Sequence, residues 1–271
     1  MSTDLGAYTA RIQHNGNLSP SLETLQSLHL AHATHIPFEN LDILLGRPIR
    51  IDPDNVWSKL VKRKRGGYCF EQNALFARVL EAVGFPVKRM AARVRYGAAE
   101  LRPRTHMLLS VMADGKEWLA DVGFGAEGLL LPLPLKPEIE SQHFDWRYRL
   151  VHEGQALVLQ SLRPEGWFDM YAFTQEEHHP IDYEVSNHYT STFPQSTFVN
   201  LLVAQLPGPK ERLRLVNRTL SVQRQNGMEE VALPDDDAIV EALRERFGLE
   251  FPPGTRFAYK DAVPPPFASA R

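Results

Sequence analysis

The chain holds a single cysteine, Cys69, within the run Arg65-Gly66-Gly67-Tyr68-Cys69-Phe70-Glu71-Gln72-Asn73. The two glycines permit a tight turn and close backbone approach. Behind the cysteine, Leu75, Phe76, Val79, Leu80 and Val83 recur at helical spacing, and Gly84 stands where a C-terminal cap belongs. Cys69 is therefore expected in the first turn of a helix, where unpaired N–H groups and the positive end of the dipole favour an anion. A sulfur so placed is expected to act as a thiolate nucleophile. The same N–H groups can hold the oxyanion of a tetrahedral intermediate. Taken alone, the cysteine reads better as a small buried hydrophobe. The neighbouring Lys62-Arg63-Lys64 reads as a solvated helix face.

A nucleophilic sulfur needs a base, and the base needs an orienting group. Thr105 to Asp121 supplies both residue types. Asp114-Gly115 is a two-residue hairpin signal. With the turn there, Ala113 opposes Lys116, Leu108 opposes Asp121, and His106 opposes Gly123. His106 and Asp121 then share a face as diagonal neighbours within side-chain reach, and Gly123 is expected to leave room for the imidazole. A four-residue loop preserves that register, whereas a three-residue loop puts the pair on opposite faces. Nothing in periodicity brings Cys69 to His106.

Helical patterning dominates the first third of the chain. Ser19-Pro20 signals a helix start ahead of Leu22, Leu25 and Leu28, and Asp52-Pro53 does so ahead of Val56, Trp57, Leu60 and Val61. After Pro86 the pattern shifts to short apolar or alternating runs near 87–96, 106–112, 117–122, 144–151, 156–162 and 168–173, divided by turn residues. This predicts an antiparallel sheet of the kind that closes into a barrel. Strand-like runs follow around 213–224, then a helix from Asp236 to Phe247 with Gly248 behind it. His178-His179 before Pro180 reads as a loop, and prolines at 252, 253, 264, 265 and 266 read as an extended tail.

Composition sets limits on the function. The 271 residues carry 43% hydrophobic and 23% charged side chains with net charge −3, so no basic field argues for nucleic acid. No apolar run has the roughly 20 residues of a membrane span, and the first residues lack a secretory pattern. One cysteine excludes an internal disulfide and any zinc site built on paired thiolates. A cytoplasmic location is the expectation. His29, His32 and His35 invite a metal reading. However, His35 lies beside Pro37, where the helix must end, and no acid or thiol completes the set, so no metal is expected. Asp235-Asp236-Asp237 reads as an acidic helix start.

Four segments together resemble the arylamine N-acetyltransferase family, of the bacterial type. They are Ile36-Pro37-Phe38-Glu39-Asn40-Leu41, Arg65-Gly66-Gly67-Tyr68-Cys69-Phe70-Glu71, Arg104-Thr105-His106 and Asp121-Val122-Gly123-Phe124-Gly125. The resemblance runs in order to about residue 205. It implies an α+β fold in three domains: a helical bundle (1–86), a β-barrel (87–195) and an α/β lid (196–271), with a papain-like catalytic core. It also implies a Cys69–His106–Asp121 triad, acetyl-CoA as donor, and arylamines or arylhydrazines as acceptors. Phe38, Tyr68, Val94 and Phe124 are candidates for an apolar acceptor pocket. Phe70 and Phe198 read better as core. Gly123 and Gly125 are candidates for close backbone approach to the CoA pyrophosphate. Arg65 and Glu39 flank the motifs and are expected to form a buried ion pair. The same triad occurs in peptidases, transglutaminase-like enzymes and amide synthases, so it does not by itself select acetyl transfer. A non-catalytic CoA-binding module is the reading from outside enzymology.

Overall fold

The structure is a computed structural model, and it describes residues 3–261. Helices α1 (Leu5–Arg11) and α2 (Leu22–His35) open the chain. Ser21, rather than Ser19, caps α2, its hydroxyl accepting from the Thr24 N–H. Pro20 thus precedes the cap instead of filling the first helical turn. A two-residue strand β1 (Phe38–Glu39) and the short α3 (Leu41–Leu44) follow. Helix α4 (Pro53–Trp57) is capped by Asp52 as the sequence predicts, and its last turn widens into a π-helix over Ser58–Lys62. Helix α5 (Cys69–Val83) ends on Gly84 in the left-handed conformation.

Eight antiparallel strands come next: β2 (Val87–Val94), β3 (Arg104–Ala113), β4 (Lys116–Ala120), β5 (Leu133–Pro134), β6 (Glu140–His143), β7 (Trp146–Glu153), β8 (Ala156–Arg163) and β9 (Gly166–Phe173). Their order, β5-β4-β3-β2-β9-β8-β7-β6, makes a nearly closed barrel. The β3–β4 hairpin turns at Asp114-Gly115, and both residues have positive φ. Ala113 pairs with Lys116 and Leu109 with Ala120, the register the turn residues predict.

Helix α6 (Pro180–Thr192) has no sequence expectation behind it. His178 and His179 lie in irregular chain, as the sequence predicts, Pro180 is the first helical residue, and Asp182 accepts from the His179 N–H. Only Tyr183, Asn187 and Thr190 are buried along it, so two of its three core-facing positions are polar and no apolar stripe shows. After α7 (Thr197–Asn200), strands β10 (Val203–Pro207), β11 (Arg212–Val216), β12 (Thr219–Arg224) and β13 (Gly227–Ala232) form a second sheet in the order β1-β10-β11-β12-β13. The run expected around 213–224 is two strands turning at Asn217, which has positive φ. Helix α8 (Asp236–Phe247) covers this sheet through Ile239, Leu243 and Phe247. Pro252 and Pro253 lie in irregular chain, whereas the prolines at 264–266 lie outside the described residues.

Candidate active site

Cys69 is the first residue of α5, with Gly66 and Gly67 just before it. Neither glycine has positive φ; what they provide is space. A Cβ on Gly66 would stand 2.2 Å from the Pro37 carbonyl oxygen, and one on Gly67 2.7 Å from the Glu71 carboxylate. Glu71 turns back to accept from the Tyr68 N–H at 3.2 Å, which fixes the helix entry.

The hairpin brings its two residues together. His106 Nε2 and Asp121 Oδ2 are 2.7 Å apart, and both side chains are buried. The other carboxylate oxygen, Oδ1, accepts from Asn73 Nδ2 at 2.9 Å and from the Gly123 N–H at 3.0 Å. The Asp121 N–H donates to His29 Nε2 at 3.1 Å. Cys69 stands close enough to the same imidazole to favour its charged form. The sulfur also reaches the Thr105 carbonyl at 3.6 Å. Burial opposes charge on His106, but the Asp121 carboxylate, its hydrogen bond and the neighbouring sulfur outweigh it and push the ring up to about 10. Asp121 moves the other way: burial raises it, yet His106, Asn73 and the Gly123 N–H hold its carboxyl below the ordinary range. A sulfur, an imidazole that keeps its proton at neutral pH and an oriented carboxylate can together perform nucleophilic acyl transfer.

Gly123 serves a purpose different from the expected one. A Cβ there would lie 2.8 Å from Cys69 Cα and 2.7 Å from Asn73 Nδ2, so the glycine admits the start of α5 rather than the imidazole. Gly125 has positive φ and abuts Gln205 Oε1, where a Cβ would stand at 1.9 Å.

A cavity of about 380 Å³ opens over the sulfur. Phe38, Val94, Phe124 and Gly123 line it with Cys69 and His106, and so does Phe198, which the sequence assigned to the core. Tyr68 is fully buried away from the cavity lining; its hydroxyl donates to Asn187, and its ring packs edge-on against Phe70.

Arg65 and Glu39 pair, with Nη2 to Oε1 at 2.7 Å. They belong to a larger cluster. Arg65 also reaches Asp42 at 3.2 Å, while Lys59 contacts Glu71 at 2.8 Å and Asp42 at 3.1 Å. Burial raises the Glu71 carboxyl to about 7 despite the pull of Lys59, which the three surrounding carboxylates hold above its ordinary value. Lys62, Arg63 and Lys64 are exposed.

Sequence reasoning missed Lys59, Asp42, Glu71, Gln72, Asn73 and His29. One signal was present: Glu71-Gln72-Asn73 is a polar run on a helix whose other buried residues are apolar, and all three are buried. Gln72 donates to the carbonyls of Ile36, Pro37 and Gly67, and its Oε1 meets His32 Nε2 at 2.7 Å. His29 and His32 share a helix face, but each is taken up by these hydrogen bonds, and burial lowers them to about 4 and about 3.

A sequence model of the N-acetyltransferase family matches residues 21–255. The arylamine N-acetyltransferase of Mycobacterium tuberculosis (strain ATCC 25618 / H37Rv) is 41% identical over 255 residues, covering 92% of this chain and 90% of that protein. The arylamine N-acetyltransferase / N-hydroxyarylamine O-acetyltransferase of Salmonella typhimurium is 40% identical over 253 residues, with the same coverage of 92% and 90%. Among solved structures, the arylamine N-acetyltransferase of M. tuberculosis superposes with a TM-score of 0.88 over 90% of this chain and 93% of that one, at 41% identity. The Mycobacterium marinum enzyme in complex with CoA superposes with a TM-score of 0.87 over 90% and 92%, at 37% identity.

Proposed function

The chain belongs to the arylamine N-acetyltransferase family of transferases, and on that premise we propose that it moves an acetyl group from acetyl-CoA through a thioester on Cys69 to an arylamine or arylhydrazine nitrogen. The observation that carries this reading is the buried Asp121–His106 hydrogen bond at 2.7 Å, with Cys69 at the helix start lining the same cavity as that ring. Support for the donor comes from the relative solved with CoA.

The reacting pair is the Cys69 thiolate beside the His106 imidazolium. The thiolate attacks the acetyl carbonyl, and the oxyanion is held by N–H groups of the first turn of α5. The bond to the CoA sulfur breaks, and that sulfur leaves with the His106 proton. Acetyl-Cys69 and a neutral imidazole remain. The arylamine nitrogen, uncharged at neutral pH, then attacks the thioester and passes its proton to His106. The carbon–sulfur bond to Cys69 breaks, the amide leaves, and the thiolate–imidazolium pair is restored. Asp121 keeps the ring in one tautomer and stabilises its cation throughout. Phe38, Val94, Phe124 and Phe198 give the acceptor ring flat apolar walls. No metal takes part in this scheme. Among the described residues, no helix is long and apolar enough to cross a membrane.

Incubation with acetyl-CoA and no amine tests the thioester. Mass spectrometry is expected to find one acetyl group on the Cys69 peptide, lost when an arylamine is added and never formed by Cys69→Ala. Turnover by Cys69→Ala would sink the reading.

A further inference from the structure

One wall of the cavity is a single face of the second sheet. Phe38 pairs with Gln205, Gln205 with Arg214, and Arg214 with Ser221, so these four side chains form a row across β1, β10, β11 and β12. Arg212 lies two residues from Arg214 and faces the same way, in register with Gln223, which pairs with Met228. All seven line the cavity. Neighbouring strands are about 4.8 Å apart, so the guanidinium end of the wall begins about 10 Å from Phe38 and the nucleophile beside it.

Arg212 is the unexplained residue in this wall. It is 3% exposed, yet none of the ion pairs among the described residues includes it. Its Nη2 donates to the neutral Tyr148 hydroxyl at 2.6 Å, its guanidinium stacks on Trp146 at 3.7 Å, and its buried Nε has no partner. A buried guanidinium without a carboxylate is costly unless an anion joins it. The only acid lining the cavity among the described residues is Glu127, and Arg163 already holds it at 2.7 Å and 3.1 Å. Arg102 and Arg212 therefore leave this part of the cleft positive, although the chain as a whole carries net charge −3.

We propose that Arg212 anchors an oxyanion subsite at the far end of the cleft, taking a phosphate or carboxylate group of a substrate whose reacting atom lies at Cys69. The inference rests on the acyl-transfer reading. A guanidinium fork suits both groups, and two substrates can supply one: the donor through its diphosphate, the acceptor through a ring carboxylate. Paired substrates tell the sources apart. Arg212→Gln is expected to raise the KM for acetyl-CoA about tenfold, the loss of one charge-assisted hydrogen bond, with kcat and the KM for S-acetylpantetheine nearly unchanged. If the acceptor supplies the group, the KM for 4-aminobenzoate rises instead and that for its methyl ester does not. Arg212→Lys is expected to recover part of the loss. An equal rise for charged and uncharged analogues, or no rise for either pair, overturns the proposal. Should Arg212→Gln fail to fold, the wild-type protein decides. Calorimetric titration with inorganic diphosphate and with benzoate is expected to show salt-sensitive binding of one of them, displaced by acetyl-CoA or 4-aminobenzoate respectively. No binding by either overturns the proposal. Titration needs no turnover, so a protein that binds the anion but never acetylates Cys69 fails the acyl-transfer reading alone.

Discussion

Asp121 and His106 are each shifted by the other, and this makes the pair a stability device as well as a chemical one. His106 is held at about 10 against an ordinary 6.5, so the folded protein binds that proton more tightly than the unfolded chain does. The resulting stabilisation is complete below about 6.5 and is lost as pH climbs from there through about 10. Asp121 is lowered, so its contribution is present above its ordinary value of 3.8 and is lost as pH falls below it. Denaturant midpoints measured across pH 6 to 11 are expected to fall in the wild type and to flatten in Asp121→Asn. A parallel fall in both would remove the carboxylate as the cause. The same substitution is expected to lower kcat/KM by about a thousandfold or more, because the amide no longer fixes the tautomer or balances the imidazolium.

Among the elements, α5 carries the most. Its first turn supplies the sulfur. Gln72 binds the 36–37 and Gly67 carbonyls, and Asn73 binds the Met107 carbonyl, Asp121 and the Val122 N–H. The helix thereby spaces the two motif segments that hold His106 and Asp121. Gly123→Ala is expected to cost about a hundredfold in kcat/KM, because its Cβ would intrude 2.8 Å from Cys69 Cα and push the sulfur off line. A Gly123→Ala enzyme with ordinary kinetics would show that the helix start can yield. The entry to α5 is pinned by the Lys59–Arg65–Glu39–Asp42–Glu71 cluster. Arg65→Gln leaves buried Glu39 with only the more distant Lys59, at 4.0 Å, for a cation, a loss of up to about 3–5 kcal/mol, so melting temperature should fall more than the chemistry of the surviving folded enzyme. An unchanged melting temperature refutes this.

Across the whole molecule, the second sheet is completed from the N-terminal region. Strand β1 pairs with β10, which lies more than 160 residues away in sequence, so Phe38 stands at once beside the nucleophile and in the wall of the distant sheet. Asn40 secures the junction: its Nδ2 donates to the Phe198 and Leu201 carbonyls at 2.7 Å, and its Oδ1 accepts from the Val203 N–H at 2.9 Å. Asn40→Ala leaves these buried groups unpaired, with a cost of about 2 kcal/mol or more. Hydrogen exchange is expected to show faster exchange in β10 than in β7 and β8. Uniform exchange across both sheets would argue against a local junction.

Local chemistry determined much of this protein before any fold was known. A turn that needs positive φ fixes the β3–β4 register, and with it the shared face of His106 and Asp121. Likewise, glycines followed by an apolar stripe fix Cys69 at a helix start, since periodicity and turn geometry act over a few residues. The approach of α5 to the hairpin was decided only in three dimensions. It depends on Gln72, Asn73 and His29 meeting backbone groups dozens of residues away, and no local pattern records that. The same holds for α6, whose buried face is largely polar, and for Arg212, whose isolation from the carboxylates of the described residues becomes visible only when the strand stands against the barrel.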